Sequence, residues 1–80
     1  MQALAQPRRV LLADQVAQAI EGEIAAQRWR EWLPSERSLQ RILNVSRQTV
    51  RAALARLETR GRVKVDPYRG YRILPPRQRA

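Results

Sequence analysis

LPSERSLQRILNVSRQTVRAALARLETRG, residues 33–61, is the stretch whose reading decides the fold. Pro34-Ser35-Glu36 is a helix start. The Ser35 side chain can accept from the orphan amides of a first turn, and Glu36 suits the positive end of the helix dipole. The helix this predicts is short, about Glu36 to Leu43, with Leu39, Ile42 and Leu43 facing inward. Asn44 tolerates the left-handed conformation that ends helices, and Val45 comes next as a buried turn residue. Ser46 then caps a second helix, about Arg47 to Arg60, which Gly61 ends. At 100° per residue, Val50, Ala53, Leu54 and Leu57 form one stripe. Gln48, Ala52 and Ala55 point the other way, with Arg47 and Arg51 flanking that outward face.

Upstream, apolar residues recur at helical spacing from about Leu11 to Gln27. Leu12, Val16, Ile20 and Ile24 lie four apart with Ala13 and Ala17 beside them, while Gln15, Gln18, Glu21 and Glu23 take the opposite face. This is an amphipathic helix packed on a core. Its acidic polar face argues against a membrane-surface role. Residues 1–10 read as a loose arm, broken by Pro7-Arg8-Arg9. In the connector 28–34, Trp29 and Trp32 are expected to wedge this first helix against the rest of the domain.

Downstream of Gly61 the period changes to two. Val63 and Val65 alternate with Arg62 and Lys64, Asp66-Pro67-Tyr68-Arg69-Gly70 is a turn, and 71–74 form the returning strand. Pro75-Pro76 stops regular structure, and 77–80 read as the start of a linker.

Eighty residues make one domain with a small core, burying about 60% of the surface the unfolded chain exposes. There is no Cys and no His. Thiolate and imidazole zinc sites, disulfides, thiol nucleophiles and His-based triads are thereby excluded. Sixteen basic residues against seven acidic ones give +9, and Lys64 is the one lysine among the sixteen. Such a charge on a small domain favours a polyanionic partner, and the arginine fork suits phosphates and guanine edges. No apolar run approaches the roughly 20 residues of a membrane span. The seven carboxylates form no cluster with metal-ligand or Gly-rich spacing, so neither catalytic nor metal-binding residues are assigned, no cofactor is expected, and the chain does not read as an enzyme.

The order helix, short helix, Asn-Val turn, capped helix and hairpin is that of an α+β winged helix-turn-helix: three helices followed by a two-stranded wing. The second helix and turn hold the third proud of the body, so its first half can enter a major groove about 12 Å wide. A winged helix can also bind RNA or protein. Single-stranded RNA would call for aromatic stacking residues on a basic face, and none of the four aromatics lies between Arg47 and Arg51.

The sequence resembles the GntR family of bacterial regulators. Leu33-Pro34-Ser35-Glu36-Arg37 is similar to that family's LPSER signature, and residues 43–54, LNVSRQTVRAAL, to its LGVSRTTVREAL stretch. Leu57-Glu58, Gly61 and Val63 resemble the helix end and first wing strand, so the likeness spans about Leu12 to Leu74. The resemblance implies that Arg37 contacts DNA from the second helix, that Arg47 and Arg51 are the main contacts of the recognition helix, and that Ser46 and Thr49 bind phosphate. It makes Arg69 and Gly70 the wing tip at the minor groove.

The residues themselves leave alternatives open. Ser46 is also a plain N-cap, Gln48 either reads adenine through its amide or is merely exposed, and Arg37 could pair with a carboxylate. Arg41, Arg56 and Arg60 read as solvated or as loose phosphate contacts. Three departures from the pattern stand out. The connector is short and lacks the family's glycine, Ala52 replaces a common Glu, and the wing carries one glycine.

By the same resemblance, the chain is expected to be the 11–74 DNA-binding domain of a cytoplasmic, metabolite-responsive repressor. Residues 75–80 would lead to a C-terminal sensor domain that binds a small-molecule effector. The whole regulator would be a homodimer on a pseudo-palindromic operator of double-stranded DNA, with no membrane partner.

Overall fold

The computed structural model describes residues 8–75, with side chains from residue 10. Three helices, α1 (Arg8–Ala25), α2 (Glu36–Leu43) and α3 (Arg47–Thr59), precede an antiparallel hairpin of β1 (Val63–Asp66) and β2 (Gly70–Ile73). This is the α+β winged helix-turn-helix expected from the sequence. The first helix starts at Arg8, so 8–10 belong to it rather than to an arm; 1–7 and 76–80 lie outside the described residues.

The caps match the sequence closely. The hydroxyl of Ser35 accepts from the Ser38 amide at 3.1 Å, and that of Ser46 from the Thr49 amide at 3.1 Å. Asn44 takes φ 56° at the end of α2, where its amide and that of Val45 both donate to the Gln40 carbonyl. α1 and α3 end in the same closure. Gly61 (φ 75°) donates to Glu58, and Arg62 to Leu57, across the end of α3. Gln27 (φ 62°) donates to Ile24, and Arg28 to Glu23, across the end of α1. This is the Schellman arrangement, with glutamine where a left-handed residue is usually glycine. α1 therefore stops at Ala25, and Gln27, read from the periodicity as helical, serves as its terminator.

The core gathers Val16, Ala17 and Ile20 of α1, Leu39 of α2, Val50, Ala53, Leu54 and Leu57 of α3, with Leu33, Val63 and Ile73. Trp29, Ile24, Leu43, Val45 and Tyr71 pack against it half-buried. One inward assignment fails. Ile42 is 57% exposed because, three residues on from buried Leu39, it turns off the face that meets α3, to which Leu43 returns. Val65 is 45% exposed because the hairpin runs beyond the core after Val63.

Trp32 does more than wedge. Its backbone bridges Arg72, while the Leu33 amide donates to Tyr71 at 2.9 Å and the Ile73 amide to Glu31 at 2.8 Å. The connector thus lines the free edge of β2 and ties the wing to the entrance of α2.

Candidate nucleic-acid interface

The ends of α2 and α3 that carry Ser35 and Ser46 present the functional side chains. Each cap takes up one of its helix's first amides and leaves others without an intrahelical partner. Arg37, Arg47, Gln48 and Arg51 are exposed, and Glu36, Arg37, Gln40 and Arg47 line one groove of about 200 Å³. Ser46 is exposed. Thr49 is 4% exposed, and its hydroxyl lies 3.0 Å from that of Ser46, so its side chain braces the cap from inside. Arg37 makes no ion pair among the described residues.

Arg47 and Arg51 have no acidic neighbour on α3, yet a carboxylate reaches them from α2. Glu36 lies 3.6 Å from the Arg47 Nε and 3.5 Å from the Arg51 Nε, one oxygen to each. The Tyr71 hydroxyl, from β2, stands 3.5 Å from the oxygen that faces Arg51. Partial burial, then the carboxylates of Glu36 and Glu58, hold the Tyr71 phenol above its ordinary pKa, with Arg51 opposing. It therefore stays a hydrogen-bond donor at neutral pH. Position 36 was legible as a first-turn acid, but its three partners come from elements remote in sequence, and no local pattern could have found them.

At the wing tip, Asp66 Oδ1 accepts from the amides of Tyr68 (2.8 Å) and Arg69 (3.0 Å). This is the local side-chain turn that Asp favours. The turn leaves Tyr68 95% exposed, an aromatic that no motif in the sequence had marked. Gly70, at φ 109°, turns the chain into β2 through a backbone region that side chains rarely adopt. The Arg69 guanidinium lies over the Trp32 ring at 5.8 Å, within cation–π range.

Three other arginines belong to the scaffold. Arg56 meets Asp14 and the Val10 carbonyl, and Arg60 meets Glu21, which also faces Arg62. Arg56 and Arg60 were expected to be solvated or to touch phosphate; Arg56 is instead a half-buried cross-link between α3 and α1, while Arg60, the C-cap of α3, stays exposed as it pairs with Glu21.

A model of the family described as "Bacterial regulatory proteins, gntR family" matches residues 12–73. The chain belongs to the gntR family. Among solved structures, the Listeria innocua protein lin2111, whose function is unknown, superposes with a TM-score of 0.76 at 28% identity, covering 89% of this chain and 30% of its own. Streptococcus agalactiae GntR gives 0.68 at 30% identity over 76% of this chain and 30% of its own. The possible transcriptional regulator YydK of Bacillus subtilis gives 0.75 at 23% identity, a likeness of fold, over 85% of this chain and 31% of its own. The gntR-family chain thus spans about a third of the length of these neighbours. No curated protein matches it. The family and fold support DNA-binding regulation, the work of a regulator family rather than of an enzyme family. No helix among the described residues is long and apolar enough to cross a membrane.

Proposed function

We propose that this gntR-family domain binds duplex DNA sequence-specifically. α3 lies in the major groove and the wing at the neighbouring minor groove or backbone. The observation that carries this reading is the grouping of exposed Arg37, Arg47 and Arg51 at the N-terminal ends of α2 and α3, on a chain of net charge +9. Helix N-termini attract phosphate through free amides and the dipole, and two arginines a turn apart match guanine edges. In this reading Arg47 and Arg51 contact bases, with Gln48 beside them reading adenine. Arg37 and Ser46 hold phosphate, with Thr49 acting through Ser46. Arg69 and Gly70 meet the minor groove.

The whole regulator is a cytoplasmic homodimer on a pseudo-palindromic operator, since twofold proteins match twofold sites. A small-molecule effector on a C-terminal sensor domain releases it as a repressor. These features rest on the family alone.

Selection from random duplex DNA, followed by fluorescence anisotropy across a salt series, tests the reading. If about six phosphates are neutralised, the log–log slope of affinity against salt is about −5. A flat slope, or equal binding of every duplex at physiological salt, overturns it.

A further inference from the structure

We infer that Glu36 is the positioning residue of the reading surface, and that Tyr71 couples it to the wing. The inference rests on the DNA-binding reading above. A carboxylate at the edge of a surface meant for phosphate opposes binding, because it repels the ligand. Its place is explained by what it touches. One oxygen faces the Arg47 Nε at 3.6 Å, and the other faces both the Arg51 Nε at 3.5 Å and the Tyr71 hydroxyl at 3.5 Å.

Arg47 and Arg51 are long side chains more than 60% exposed, which in isolation would sample many rotamers and lose that freedom on binding. One carboxylate held between them narrows both guanidinium groups toward the same side of α3 while leaving their terminal NH2 groups for a base edge. Ser35 already satisfies the start of α2 through the Ser38 amide, so capping does not require the Glu36 side chain. Tyr71 stands on β2 directly opposite Val65, two residues from Arg69. Through it, displacement of the wing is felt at the carboxylate that sets the arginines. The major-groove and wing contacts are thus linked through a single side chain.

Two substitutions separate charge from reach. Glu36→Gln keeps the length and removes the charge. It is expected to raise affinity for an unrelated duplex about threefold to fivefold, the effect of one screened charge a few ångströms from phosphate. It is also expected to lower discrimination between the selected site and single-base variants about tenfold. Glu36→Asp keeps the charge and loses one methylene. It is expected to lower discrimination similarly with affinity for the unrelated duplex unchanged. Tyr71→Phe is expected to lower discrimination less, and in a double variant with Glu36→Gln to add nothing further.

Circular dichroism must show each variant folded. In the free wild-type chain, NMR of the arginine Nε–H groups is expected to give distinct Arg47 and Arg51 signals that collapse to the exposed-arginine position in Glu36→Gln. If wild type discriminates between duplexes but both Glu36 variants keep its ranking of sites, the positioning role is overturned while the DNA reading stands. If wild type shows no discrimination, the DNA reading falls. The Nε–H signals then decide the inference by themselves, and signals indifferent to Glu36→Gln overturn it.

Discussion

The Arg56 Nε lies 3.3 Å from Asp14 Oδ1, and a terminal nitrogen of the same guanidinium donates to the Val10 carbonyl at 3.3 Å. One arginine of α3 thus holds both the side chain and the backbone of the first half of α1. With 29% of its side chain exposed, Arg56 is the more shielded partner, and Asp14, at 47%, keeps the pair in contact with solvent. Screening therefore limits the ion pair, and the bond to the carbonyl adds to it.

Arg56→Ala is accordingly a stability variant. A loss of about 1 kcal/mol is expected, which in a domain of this size lowers the melting temperature by roughly 4–8 °C. The ranking of DNA sites should be untouched. Thermal melts followed by circular dichroism check this; an unchanged midpoint together with a shallower salt dependence of DNA binding would make Arg56 a phosphate contact instead.

Arg47→Ala and Arg51→Ala should behave oppositely. Both side chains are mostly exposed and lie off the buried Val50, Leu54, Leu57 stripe, so melting should hold. Each should weaken the selected site by about 1–3 kcal/mol and flatten preference among variant sites. Competition titrations with single-base variants give the result; an intact ranking would transfer specificity to Gln48, the wing or DNA shape.

Gln27→Gly should stabilise the domain. Gln27 closes α1 at φ 62°, where a side chain crowds the backbone, while Gly61 closes α3 in the same way without one. The gain is expected to be about 0.5–1 kcal/mol, the left-handed penalty less the extra chain entropy that glycine loses. Urea unfolding of the two forms measures it, and no gain would show that the Gln27 side chain makes compensating contacts.

Tyr71 provides a pH test. Burial and the carboxylates of Glu36 and Glu58 favour its neutral form, so its folded pKa lies above its unfolded value. The associated stabilisation is fully present below an unfolded pKa of about 10 and is lost as pH rises through the folded value. In an alkaline titration by tyrosinate absorbance, the step removed by Tyr71→Phe should lie above the ordinary tyrosine range and move down in Glu36→Gln. A step unmoved by Glu36→Gln would mean that Glu36 and Tyr71 do not meet in solution.

The sequence by itself determined the elements and their ends. Ser35, Asn44, Ser46 and Gly61 act through hydrogen bonds and dihedral angles within a few residues, so local chemistry suffices to find α2, the turn and α3. The apolar stripes of α1 and α3 came from periodicity, and the period-two run after Gly61 marked the wing. The exposure of Arg47, Gln48 and Arg51 came from the same wheel that buries Val50 and Leu54.

Only the tertiary structure decided which arginines are available. The helix wheel separates Arg47 and Arg51 from Arg56 and Arg60 but names no partner for any of them; α1 offers Asp14 and Glu21 to the second pair while α2 offers Glu36 to the first. A helix face is set by the angle between successive residues, whereas an ion pair is set by where another helix crosses it, over separations of eleven to forty-two residues. The same reason governs Ile42, Val65 and Trp32. Their surroundings depend on where a neighbouring element stops, and that is decided by packing rather than by any pattern along the chain.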